Sequence, residues 1–161
     1  MLYYKKRKEE DITMNNKLIR ITKTLLDVMF FSGILVTALL FFVIRFYGRY
    51  NTYFKDNAIS LTILFSLSGI FAVLVIFELR KIFKTVIDDN CFITENVTSL
   101  RRMGNFSFMI ALVTSLRLII YITPGVIVVV LVFLIAGLFS KVLSQVFDKA
   151  ITYKLENDLT I

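Results

Sequence analysis

Four apolar stretches dominate this chain, and each is long enough to cross a lipid bilayer as a helix. A hydrocarbon core of about 30 Å needs about 20 helical residues at about 1.5 Å rise each. The first stretch, residues 25–46, holds no charge between Asp27 and Arg45. The second, 58–77, holds none at all. The third, 103–122, carries only Arg117, and the fourth, 125–143, carries only Lys141. Backbone N–H and C=O groups cannot be left unpaired in hydrocarbon, so such segments satisfy themselves as helices. The expected fold class is all-α: an integral membrane bundle of four transmembrane helices, one domain over residues 1–161.

Composition removes the main alternatives. Of 161 residues, 57% are hydrophobic and 19% charged. A soluble chain this small buries only about 70% of the surface it exposes when unfolded, too little to hide that apolar content. Disorder requires low hydrophobicity and is excluded as well. There is no His, and Cys91 is the only cysteine, so neither an internal disulfide nor a cysteine-based zinc site can form. No Gly-rich phosphate loop, paired catalytic carboxylates or serine elbow appears. No enzyme activity, cofactor or metal is expected, and Cys91 reads as a small loop residue.

Segment boundaries carry local signals. Asp56 and Asn57 suit the cap before residue 58, and Thr123-Pro124-Gly125 reads as a turn with proline in the first helical turn. The first span does not read as a signal peptide: 24 mostly polar residues precede it and no Ala-x-Ala site follows. Lys and Arg counts set the orientation. The segments before span one, between spans two and three, and after span four hold 7, 5 and 3, while the loop between spans one and two holds 3 (Arg45, Arg49, Lys55). Fifteen against three places both termini in the cytoplasm. Phe46, Tyr47, Tyr50, Tyr53, Phe54 and Tyr121 form the expected aromatic belt on the opposite side.

The helices are expected to extend beyond the membrane on the cytoplasmic side as amphipathic segments. Leu18, Ile19, Thr22, Leu25 and Leu26 follow the helical period, with the first helix starting near Asn16. Leu79, Ile82, Phe83, Val86 and Ile87 do the same after span two, as do Val142, Leu143, Val146, Phe147, Ala150, Ile151 and Leu155 after span four. These stripes can close the bundle or form a docking face. The cytoplasmic connection runs through Asp88 to Ile93, where Thr94 can cap the next helix, Glu95 suits its dipole, and Phe92 is expected against the helices.

Several residues admit both a structural and a functional reading. Arg117 is the one charge deep in a span; it can snorkel to the interface or serve a substrate or ion pathway. Asp27 and Glu78 are expected to pair with nearby Lys or Arg. Ser107, Ala111 and Ser115 recur every four residues and permit close helix approach, within the chain or in a homo-oligomer. The basic N-terminal segment suits anionic lipid.

The hairpin Asp89-Asn90-Cys91-Phe92-Ile93-Thr94-Glu95-Asn96-Val97, followed by Leu100-Arg101-Arg102-Met103-Gly104, resembles the central motif of an uncharacterised bacterial membrane-protein family, domain of unknown function 2975. The end of the chain, Leu155-Glu156-Asn157-Asp158-Leu159-Thr160-Ile161, resembles that family's terminal signature. The hairpin departs from the pattern, which has Gly and Pro at Asp89 and Cys91 and Ser or Thr at Ile93. The resemblance implies a four-span protein of the bacterial cytoplasmic membrane with no assigned activity. Its members are often encoded beside small helix-turn-helix regulators, and the resemblance to that extent implies a regulatory partner at the membrane. This chain has no helix-turn-helix of its own, and direct nucleic-acid binding is not expected.

Together these readings predict a non-enzymatic regulatory or interaction protein in the bilayer. Phe92, Glu95 and Asn96 of the hairpin and Glu156, Asn157, Asp158 and Leu159 of the tail are its candidate partner-binding residues. The alternative is a small transporter or channel component using Arg117.

Overall fold

The computed structural model describes residues 2–88, 90–120 and 122–158, and side chains over 17–52, 54–88, 90–119 and 122–157. Every element among them is a helix: α1 (Leu2–Tyr47), α2 (Thr52–Asp56), α3 (Ala58–Ile87), α4 (Thr94–Ile120) and α5 (Pro124–Asp158). Three helices are long and apolar enough to cross a membrane, over Lys17–Tyr47, Ala58–Ile87 and Pro124–Asn157. Large apolar side chains point outward from their central turns, including Phe31, Leu35 and Phe42 on α1 and Ile135, Leu138 and Phe139 on α5. Water would not tolerate so large a continuous apolar surface, whereas hydrocarbon does. The chain is a multi-pass membrane protein.

α4 falls short of that apolar threshold over its described residues. It opens on Thr94-Glu95-Asn96, carries Arg101 and Arg102, and ends three residues after Arg117. α4 packs between α3 and α5, and Asn96, Val97, Ser99, Leu100, Ser107, Ile110, Ala111 and Val113 are all buried. On these two seams α4 holds the small polar residues Asn96, Ser99 and Ser107, while Leu112 and Ile119 are exposed on its open face. Of the four spans expected from apolar length, three are met among the described residues.

The packing order follows the chain: α1 on α3, α3 on α4, α4 on α5. Among the described residues α1 and α5 do not pack on each other, so the layer is open rather than a closed bundle. α4 and α5 approach closely at two glycines. A Cβ placed on Gly104 would lie 3.1 Å from the Gly137 carbonyl oxygen, and one on Gly137 would lie 2.8 Å from the Phe108 ring. Ser107 and Ala111 are buried within the chain, while Ser115 turns its hydroxyl back to donate to the Ala111 carbonyl at 2.7 Å.

Helix boundaries differ from expectation at the N-terminal end. α1 begins at Leu2, not near Asn16. The intervening stretch contains neither Gly nor Pro and is rich in Lys, Arg and Glu, all good helix formers. Pro124 opens α5 as expected, and the Thr123 carbonyl accepts from the Val126 amide at 3.0 Å. The short α2 was not anticipated; it lies in the connection between α1 and α3.

Candidate functional site

The basic ends of the helices hold a network of buried polar groups. On α3, Glu78, Lys81 and Thr85 lie one helical turn apart; on α4, Asn96, Ser99 and Arg102 do the same. The two rows face each other. Glu78 is only 4% exposed. Its carboxylate accepts from Lys81 Nζ at 3.2 Å on both oxygens, from Ser99 Oγ at 2.8 Å, and from Arg102 Nη1 at 3.5 Å. Asp27 of α1 pairs with Arg80 of α3, whose guanidinium also lies 4.5 Å from the centre of the Phe30 ring. Both interfacial carboxylates are therefore structural partners of neighbouring cations.

Asn96 closes the hairpin. It is 1% exposed, and its Nδ2 donates to Thr85 Oγ1 at 2.6 Å and to the Cys91 carbonyl at 2.7 Å. The Asn90 amide donates to the Thr85 carbonyl at 2.9 Å, which ties the loop to the last turn of α3. Glu95 is exposed in the first turn of α4. Phe92 is half-exposed, and its ring lies 5.2 Å from that of Phe147 on α5. The hairpin is thus fixed on one side to α3 and α4 and on the other to α5.

The predicted stripe of α5 divides. Leu143, Phe147, Ala150 and Ile151 are partly covered, while Val142, Val146 and Leu155 are exposed. α5 runs unbroken to Asp158, and Glu156 and Asn157 are exposed on this extension. The side chain of Asp158 and the whole of Leu159 lie outside the described residues. So the candidate residues fall into two groups. Phe92, Glu95 and Asn96 sit together at the hairpin, with Asn96 serving as an internal tie, whereas Glu156 and Asn157 sit two to three turns beyond the Phe92–Phe147 contact.

Thr85 and Ser99 belong to the site but stand out in no motif of the sequence. The available signal was a pair of polar triplets at helical spacing, flanking one short loop. Such rows on adjacent helices must meet if the loop is tight.

At the other end, the aromatic residues of the α1–α3 connection interlock. Phe46 lies 5.7 Å from Tyr50, and Tyr47 lies 6.1 Å from Phe54, measured between ring centres. Tyr121 and the side chain of Tyr53 lie outside the described residues. Between α1, α3, α4 and α5 is a cavity of about 590 Å³, lined mainly by apolar side chains and reached by Arg117. The Arg117 guanidinium sits 4.7 Å from the centre of the Phe65 ring. Its buried Nε meets no hydrogen-bond acceptor, and no carboxylate lies within ion-pair distance among the described residues.

Comparison with curated proteins and with solved structures finds no match. Residues 46–161 match the family described as protein of unknown function DUF2975, which takes in the hairpin, the polar network, Arg117 and the tail; the chain belongs to that family.

Proposed function

We propose that this is a four-span, non-enzymatic protein of the bacterial cytoplasmic membrane, with both termini inside, that presents its hairpin and the extended α5 to a regulatory protein. Four spans are supported by matched lengths. From Asp27 to Arg45, Ala58 to Glu78, Met103 to Ile120 and Pro124 to Lys141, each helix covers about 25–30 Å at 1.5 Å per residue. α4 is flanked by two membrane-length helices and joined to α3 at its basic end through Arg102 and Glu78. Orientation rests on the excess of Lys and Arg at that end.

The observation that carries the docking reading is the Phe92–Phe147 contact, with Asn96 behind it. It joins the hairpin to α5 in a common base. From that base a helix projects, bearing Tyr153 and Leu155 exposed beside Lys154 and Glu156. A preformed base lowers the entropy lost on docking. Partners of the helix-turn-helix type are suggested by the family's gene neighbourhood. A second copy of the chain is a further candidate partner. Anionic lipid suits Lys23, Arg80, Lys81 and Lys84 around a groove of about 390 Å³ between α1 and α3.

Topology is tested with Cys91 as a built-in probe. In intact cells a membrane-impermeant maleimide should leave Cys91 unlabelled. Cysteines placed at Asn51 and at Ile122 in a Cys91→Ser background should both react from outside. Ile122 is 72% exposed at the α4–α5 turn. Its protection in intact cells would show that α4 does not cross. The docking reading is tested by photo-crosslinking from position 153 in living cells. It predicts a discrete protein adduct that disappears on deletion of residues 155–161. Adducts indifferent to the deletion, or none at all, would overturn it.

A further inference from the structure

We propose that the cavity at Arg117 binds an acyl-chain lipid with an anionic head, carboxylate or phosphate, entering from the bilayer between α1 and α5. The inference rests on α4 lying in the membrane with its neighbours, which the Ile122 labelling tests separately.

Shape, polarity and charge converge. At about 590 Å³ the cavity falls within the roughly 300–1,000 Å³ typical of small-molecule sites. Its single charge sits at one end: Arg117 and Thr123 stand near the α4–α5 turn, while Ala72, Ile110 and Phe133, with Thr37 and Ser68, line the part toward the middle of the helices. An amphiphile placed head toward Arg117 would therefore run its chain toward the bilayer centre, as a lipid of that leaflet already does. The flank between α1 and α5 is unsealed, because those helices do not pack on each other among the described residues. A lipid could enter sideways without first leaving the membrane.

The need for an anion comes from the charge balance. Between Asp27 and Glu78 the chain has Arg45, Arg49 and Lys55 against Asp56 alone, and between Arg102 and Lys141 it has only Arg117. No carboxylate among the described residues pairs with Arg117. The Phe65 ring face attracts its guanidinium but does not accept its N–H groups in the manner of an anion. A headgroup oxygen would satisfy the buried Nε and neutralise the charge in one contact.

Native mass spectrometry of the full-length protein in a neutral detergent provides the test. Palmitate and phosphatidylglycerol are titrated alongside phosphatidylcholine and inorganic phosphate. Wild type should retain the two anionic lipids at least tenfold more tightly than phosphatidylcholine, and inorganic phosphate should not be retained. Arg117→Gln should abolish that preference and Arg117→Lys should restore most of it, both judged on monodisperse protein. Ala72→Phe, which fills the chain end and leaves Arg117 in place, should weaken the acylated ligands. Equal binding by wild type and Arg117→Gln would overturn the proposal. So would equal retention of phosphatidylcholine, retention of phosphate alone, or indifference of palmitate to Ala72→Phe.

Discussion

Replacing Asn96 by alanine is expected to cost several kcal/mol and to loosen the hairpin selectively. The side chain satisfies two acceptors at once, Thr85 Oγ1 at 2.6 Å and the Cys91 carbonyl at 2.7 Å, in a position almost sealed from solvent. Each buried polar group left without its partner costs about 1–3 kcal/mol. Thr85 keeps its own bond to the Ile82 carbonyl at 2.7 Å, so the hydroxyl loses one interaction while the Cys91 carbonyl loses its tie to α4. Asn96→Asp should be worse. A carboxylate cannot donate and would set negative charge against the Cys91 carbonyl in a buried site. The thermal midpoint in detergent should fall in the order wild type, Asn96→Ala, Asn96→Asp. The rate of maleimide reaction at Cys91 should rise in the same order. Glu95→Gln, one residue away and exposed, should remain within about 0.5 kcal/mol of wild type. An Asn96→Ala protein with unchanged midpoint and unchanged Cys91 reactivity would show that the hairpin is held by other contacts.

Gly104→Ile is expected to have a comparable effect by forcing α4 and α5 apart. An added Cβ meets two kinds of atom: Lys141 Cγ at 3.0 Å, which belongs to a flexible side chain, and the Gly137 carbonyl oxygen at 3.1 Å, which belongs to a helix backbone. Lysine can swing aside, but the carbonyl moves only if α5 moves. Overpacking of this kind costs about 1–3 kcal/mol, and branched atoms beyond Cβ add to it. Alanine at the same position is a useful contrast, because its better helix propensity returns up to about 1 kcal/mol. Gly104→Ala should therefore lie close to wild type, with Gly104→Ile well below both. Equal midpoints for alanine and isoleucine would mean that the two helices have slack at this crossing.

The spans were legible in the sequence where lipid contact dictates composition. Residues 58–77 admit no charge because α3 shows apolar side chains to the bilayer, and Pro124 marks the start of α5 because only the first helical turn accepts it without loss. α4 was legible only in part. Asn96, Ser99 and Ser107 are buried against neighbouring helices while Arg101, Arg102 and Asn105 are exposed, so hydropathy averaged along the helix understates its place in the fold. The extension of α1 to Leu2 was hidden because a basic, acidic and polar stretch reads equally as helix or coil without an apolar period. The site shows the same split. Phe92 and Asn96 stood out in the hairpin motif, but Thr85 and Ser99 became visible only once the turn had brought the two polar rows face to face. Arg117 stood out as a lone charge. The cavity in front of it depends on where α1 and α5 fail to meet, and no local pattern encodes a gap between helices far apart in sequence.

The order in which the helices pack also bears on how the protein is made. Every long helix has its chain neighbour as its packing partner, so each seam can form as soon as the second helix of the pair leaves the ribosome and enters the bilayer. Among the described residues no early helix waits for a late one, so the ordering entropy of distant closure is not incurred there. Biogenesis can proceed as a succession of hairpins, with α5, the last to arrive, needing only α4 to be in place.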